Sequence, residues 1–198
     1  MSLWSLPAGL ALRRPWVMGI LNVTPDSFSD GGRFASFEAA VARAWQIARE
    51  GAQILDLGGQ STRPGSESVP LEEELARVVP VMRELALQDY PLPISVDTSK
   101  AAVARACLEL GARVINDVTA LRGDPEMPAL ARESGAAVIL MHMLGEPRTM
   151  QEAPRYGDVV EEVAAFLRER REFAIRAGVA PGRILLDPGI GFGKRLEH

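Results

Sequence analysis

The sequence predicts an α/β fold of the barrel type, and three observations carry that expectation. First, a short phrase recurs: Gly51-Ala52-Gln53-Ile54-Leu55-Asp56, Gly111-Ala112-Arg113-Val114-Ile115-Asn116 and Gly135-Ala136-Ala137-Val138-Ile139-Leu140. Each reads as a helix stop followed by a strand. Glycine suits the left-handed position that ends a helix, and the apolar run after it is short and continuous, as in a strand buried on both faces of a parallel sheet. Second, six such strands, at about 16–22, 53–58, 93–97, 113–116, 137–141 and 183–187, alternate with helical stretches in strict β then α order. Third, most of them end in a polar residue: Asn22, Asp56, Asp97, Asn116 and Asp187. Spacing alone leaves a barrel and a doubly wound sheet both standing. A barrel gathers functional groups from several strand ends around one mouth, whereas a doubly wound sheet concentrates them at one switch point, so the polar ends favour the barrel.

The helices carry their own signals. Ser36 precedes the run to Glu50, and Glu72, Glu73 and Glu74 occupy the first turn of Leu71 to Leu87, where the helix dipole favours them. Pro80 should kink that helix. Thr98 or Ser99 is expected to cap the next helix, which leaves Asp97 free to point inward. Asp124 and Pro125 mark another start. The longest helix is expected from about Asp158 to Ala177, with Val160, Val163, Ala164, Leu167, Ala174 and Ile175 at helical spacing and Arg168 to Glu172 as a solvated face. No linker or low-complexity tract interrupts the chain, so residues 1–198 read as one domain.

Composition narrows the function classes. With 47% hydrophobic and 24% charged residues the chain is ordinary globular protein, and a net charge of -4 lacks the basic field that nucleic acid requires. The opening Met1 to Leu12 is broken by Pro7 and Gly9 and has no leading positive charge, so no signal peptide is expected. No apolar run reaches the ~20 residues of a membrane span, and one cysteine cannot build an internal disulfide. A reducing cytoplasm is the expected compartment. Of the 22 basic residues only Lys100 and Lys194 are lysine.

Two loops are more polar than tight turns need. Asn22 to Gly32 follows the first strand, and Gly58-Gly59-Gln60-Ser61-Thr62-Arg63-Pro64-Gly65 follows the second, where Arg63 offers a fork suited to phosphate or carboxylate. Asp56, Asp97, Asn116 and Asp187 would crowd several acceptors together unless a cation or a donor-rich ligand sits among them. A divalent metal and a flat heterocycle with an amino group beside a ring N–H both answer that demand. Asp187-Pro188-Gly189-Ile190-Gly191-Phe192-Gly193-Lys194 lacks the Gly-Lys-Ser/Thr of a phosphate loop; its glycines would let the backbone pass close to a bound ring, with Phe192 as a wall. His142 reads as a hydrogen-bonded core residue, His198 is too isolated to build a zinc cluster, and Cys107 reads as a small buried hydrophobe.

Taken together, Asn22 to Gly32, Asp56 to Pro64, Asp97-Thr98, Ile115-Asn116-Asp117, Met141-His142-Met143 and Asp187 to Lys194 resemble the motifs of dihydropteroate synthase, in family order along the whole chain. The resemblance implies a (β/α)8 TIM barrel of which six units are present. It also implies a transferase of folate biosynthesis. That enzyme condenses 6-hydroxymethyl-7,8-dihydropterin diphosphate with p-aminobenzoate, which sulfonamides mimic, and releases diphosphate with help from Mg²⁺. Carried over by position, Asp97, Asn116 and Asp187 would hydrogen-bond the pterin, and Met141, Gly191 and Phe192 would line its pocket. Asn22 would contact Mg²⁺ and diphosphate. Thr62, Arg63 and Pro64 would lie near diphosphate and p-aminobenzoate, with Phe28 on the first loop. Asp97 and Arg63 would act in catalysis. The family continues past Lys194 through two more βα units, so these residues alone are expected to be inactive, and full-length members are expected to form homodimers. A pterin-binding methyltransferase domain shares the barrel but does not need the two polar loops. A non-catalytic fragment is the other alternative.

Overall fold

The computed structural model describes residues 15–24, 32–61, 66 and 68–198, with backbone only at 32–36. Six strands alternate with helices among the described residues: β1 (Met18–Asn22), α1 (Gly32–Arg49), β2 (Ile54–Gly58), α2 (Leu71–Leu87), β3 (Ile94–Asp97), α3 (Ala101–Glu109), β4 (Val114–Asp117), α4 (Met127–Ser134), β5 (Ala137–Met141), α5 (Val159–Arg176) and β6 (Ile184–Asp187). Every expected strand is present, shifted by at most two residues at its start and one at its end. All neighbours pair in parallel and in chain order, β1 through β6. A doubly wound sheet would reverse direction at a switch point, so unbroken sequential order is that of a barrel wall.

The recurring phrase ends helices as expected. Gly51, Gly111 and Gly135 have φ of 96°, 104° and 63°. After the first two, Ala52 N–H bonds back to Ile47 O (3.3 Å) and Ala112 N–H to Cys107 O (3.0 Å), the six-to-one bond that satisfies a helix's last carbonyls.

Because strand side chains alternate, the sheet has two different faces. The outer face presents Leu21, Leu55, Leu57, Val96, Ile115, Val138 and Leu140 to the helices, and these residues join Val78, Met82, Val103 and Cys107 in one continuous core. The inner face begins with a small apolar cluster of Val114, Ala137 and Ile139 with Met18 and Leu185. At the same levels the inner face is polar on the neighbouring strands, with Ser95 beside Val114 and Asn116 beside Ile139. Burial raises the Cys107 thiol to about 12, which keeps it a neutral core atom.

Four local expectations need correction. α1 starts at Gly32, not after Ser36, and α4 starts at Met127, beyond Pro125. The N-terminus of α3 is capped by neither Thr98 nor Ser99. Ala101 N–H instead donates to Asp124 Oδ2 at 2.8 Å, so a side chain from the following loop does the capping. Finally, Arg168 to Glu172 is not wholly solvated. Arg170 is buried and reaches under the loop after β4, where its Nε donates to Ala120 O (2.8 Å) while its guanidinium lies 4.1 Å over the Phe173 ring. The α5 cap is as expected: the Asp158 carboxylate accepts from Val160 and Glu161 N–H.

Candidate active site

Register brings three of the polar strand ends, Asn22, Asp97 and Asn116, to one height. Asn22 lies level with Gly58, Gly58 with Asp97, and Asp97 with Asn116. At Gly58 a Cβ would stand 3.2 Å from Asn22 Oδ1 and 3.4 Å from Asp97 Oδ2, so the missing side chain leaves a notch between an amide oxygen and a carboxylate. One layer down, Asp56 lies level with Ser95 and accepts a 3.0 Å hydrogen bond from Asn116 Nδ2.

This cluster has more acceptors than the protein satisfies. Although Ser95 stands beside Asp56, the pair misses hydrogen-bond geometry, and Asp56 Oδ1 and Ser95 Oγ are buried polar atoms without a partner among the described residues. Burial raises the Asp56 carboxyl above its ordinary range, which the Ser95 and Asn116 dipoles partly offset. Asp97 is pushed up further, chiefly by burial and then by the charges of Asp56, Glu74 and Asp117. Such a group calls for donors from outside, two parallel N–H bonds above all.

The far side of the site is built by β5 and β6. Met141 lies level with Asp187 and joins Val118, Met143, Met150 and the half-buried Phe192 in an apolar cluster at the mouth. Asp187 Oδ1 accepts from Gly189 N–H (2.7 Å), which turns the chain sharply. Only glycine fits there: φ is 65°, and a Cβ would stand 2.0 Å from the His142 carbonyl oxygen. The close approaches of this glycine run, at Gly189 and Gly193, are thus to the chain's own exit from β5, while a Cβ at Gly191 would meet open space.

Lys194 pins the same loop. Its Nζ lies 2.9 Å from His142 Nδ1 and donates to the carbonyls of Gly189 (3.0 Å) and Phe192 (3.2 Å). Burial, reinforced by this ammonium, lowers His142 to about 4, so the imidazole is neutral with Nδ1 free to accept. His142 is a buried, hydrogen-bonded core residue as the sequence suggested.

Two buried carboxylates went unassigned in the sequence. Asp117 accepts from Thr119 N–H (2.8 Å), Thr119 Oγ1 (2.7 Å) and Leu121 N–H (2.9 Å). Those bonds hold Ala120 and Leu121 at φ of 54° and 62°, a conformation rare for residues with a Cβ. Asp117-Val118-Thr119 carries the Asx-turn signal that could have revealed it. Glu74 takes a 2.6 Å bond from Thr98 Oγ1 and an ion pair from Lys100, partners that its place in a helix's first turn does not signal.

Phe28, Thr62, Arg63 and Pro64 lie outside the described residues. The expected residues that are described fall into two groups, Asn22, Asp97 and Asn116 on one wall and Met141, Asp187, Gly191 and Phe192 on the other. No group of three or more His, Cys, Asp or Glu able to hold a metal occurs among the described residues. No described helix is long and apolar enough to cross a membrane.

The family model of pterin-binding enzymes matches residues 18–198. Dihydropteroate synthase of Escherichia coli K12 is 50% identical over 198 residues, all of this chain and 70% of that protein. The chain belongs to the dihydropteroate synthase family. Among solved structures, the synthase of Xanthomonas albilineans with 4-aminobenzoic acid is 53% identical with a TM-score of 0.86, over 94% of this chain and 65% of that one. The Yersinia pestis synthase in a sulfonamide drug complex is 46% identical with a TM-score of 0.90, over 100% and 71%. The chain thus spans about two thirds of the length of the relatives it matches. The barrel fold class, the family and its transferase character, all expected from the sequence, are borne out by these likenesses.

Proposed function

We propose that the protein condenses 6-hydroxymethyl-7,8-dihydropterin diphosphate with p-aminobenzoate, and that the polar ring at the strand ends holds the pterin. The observation that carries this reading is the surplus of acceptors, the half-buried Asp97 and the buried Asp56 Oδ1 above all, beside the apolar wall of Met141 and Phe192. A flat ring with adjacent amino and ring N–H groups supplies the missing donors and covers that wall. Asp97 accepts the parallel pair, while Asn116, held by Asp56, and Asp187, held by Gly189 N–H, fix the ring's edge. Loss of diphosphate from the exocyclic methylene leaves positive charge that the ring delocalises and these carboxylates stabilise. The aromatic amine then attacks the methylene, so no protein nucleophile is needed. Phe28, Thr62, Arg63 and Pro64 are assigned to the loops over the diphosphate and p-aminobenzoate, with Arg63 matching the leaving group's charge.

Mg²⁺ fits one described donor. Asn22 Oδ1 faces the notch at Gly58, and a hard cation that keeps its waters and takes substrate oxygens needs no more than one or two protein ligands. Bound there, it would neutralise the departing diphosphate. A homodimer at full length and a cytoplasmic location remain part of the proposal. Turnover is assigned to a barrel of the relatives' length, because among the described residues β1 and β6 each have one unpaired edge, and Ile20 and Leu186 on them are exposed.

Calorimetric titration of the pterin diphosphate, with and without Mg²⁺, into this chain and into a version of its relatives' length tests the proposal. Mg²⁺-strengthened binding to the longer version is the expected result. Absence of binding to a folded protein of that length overturns the pterin reading, and binding indifferent to Mg²⁺ overturns the metal assignment.

A further inference from the structure

Behind the polar ring lies a second network that the pterin contacts leave unexplained. Glu74, on α2, is 1% exposed, and its two carboxylate oxygens are divided between Thr98 Oγ1 and Lys100. Thr98 directly follows Asp97, and its hydroxyl also accepts from Lys100 N–H (3.2 Å), so donor and acceptor capacity are both used. Lys100 Nζ reaches onward to Gln60 Oε1 (3.1 Å), and the same oxygen accepts from Val69 N–H (3.2 Å). Gln60 therefore ties together the outgoing and returning arms of the β2 loop and joins both to the end of β3. Arg77 of α2 adds a bond to Gly59 O at 2.8 Å.

We propose that Glu74, Lys100 and Gln60 are positioning residues that fix the strand end bearing Asp97 and the root of the β2 loop in one relation, so that the bound pterin and the second substrate are presented to each other. The inference rests on the reaction proposed above. A helix carboxylate buried for packing alone would need no link to a loop glutamine, whereas here the one charged partner of Glu74 among the described residues is the residue that makes that link. Lysine suits the place because its compact ammonium can serve two acceptors on different elements.

The test uses protein of the relatives' full length. Gln60→Leu keeps the shape and removes the oxygen that accepts both bonds, and Gln60→Glu keeps an acceptor there. The expected result is that Gln60→Leu melts like the wild type and binds pterin diphosphate within about twofold, while KM for p-aminobenzoate rises about fivefold to tenfold, the worth of one or two hydrogen bonds. Gln60→Glu should restore the wild-type KM. A second variant probes the other arm: Asp56, Asp117 and Glu74 face Asp97 from β2, β4 and α2, so Glu74→Gln should move the acid limb of pterin binding to lower pH. An unchanged KM in Gln60→Leu, a Gln60→Glu as impaired as Gln60→Leu, or an unmoved acid limb overturns the inference. Failure of the wild type to bind pterin at all is a different result, which removes the proposed function first.

Discussion

The two faces of the one sheet follow opposite rules. On the outer face Leu55, Leu57, Val96, Ile115, Val138 and Leu140 are essentially sealed from solvent, each against helix side chains of matching kind. On the inner face stand the buried Asp56 and Ser95, each with an atom that has no partner among the described residues, and the half-buried Asp97 with three carboxylates around it. The outer face supplies the favourable burial that folds the chain, and the inner face gives part of it back to keep polar groups ready for a ligand. Because successive residues of one strand point to opposite faces, both functions are written into the same few positions.

The largest break in this contrast should come from the outer face. Leu57→Ala is expected to destabilise the protein by about 2–5 kcal/mol in urea unfolding, without altering pterin affinity of the folded fraction. The inner face should respond in the opposite sense. Asp97→Asn should weaken pterin binding about 100-fold while raising the melting temperature at pH 8. The sign follows from linkage. The folded carboxyl holds its proton above the ordinary range, so this group's contribution falls as pH rises through the window between the unfolded and folded values, and stays reduced above it. The stabilisation of Asp97→Asn should therefore vanish below about pH 4, where the carboxyl is protonated in both states.

Arg170→Met sharpens the comparison from outside. It removes the guanidinium from the carbonyls of Ala120 and Leu121 and should cost about 1–3 kcal/mol. Arg168→Met, at an exposed position in the same helix, should change stability by less than about 0.5 kcal/mol. The smallest effect belongs to Ser95→Ala. Losing a hydroxyl without a partner among the described residues should leave thermal stability unchanged or raise it by up to about 1 kcal/mol, and a loss of about 1 kcal/mol or more would show that the hydroxyl is bonded.

The strands and the polar residues at their ends were legible because both depend on local signals: a glycine stop, a short apolar run, a residue at a fixed offset. Asp158 as a cap was legible for the same reason. Glu74, Arg170 and Asp124 were not, since each acts on a partner 23 to 50 residues away. A glutamate in a first turn and an arginine among charged neighbours look solvated until the tertiary fold puts a hydroxyl or a carbonyl over them. Thr98 shows the converse. Its sequence position suits a cap, but the hydroxyl's strongest demand came from a helix two elements back.

The scarcity of lysine has a practical side. Both lysines follow strands at the mouth of the barrel, Lys100 after β3 and Lys194 after β6, while every other basic side chain is arginine. Within these 198 residues, an amine-directed reagent has no other side chain to acylate. A chemistry that usually decorates surfaces at random would, among the side chains of these residues, mark the mouth of the barrel, and its yield there with and without ligand would read out how much of the mouth is occupied.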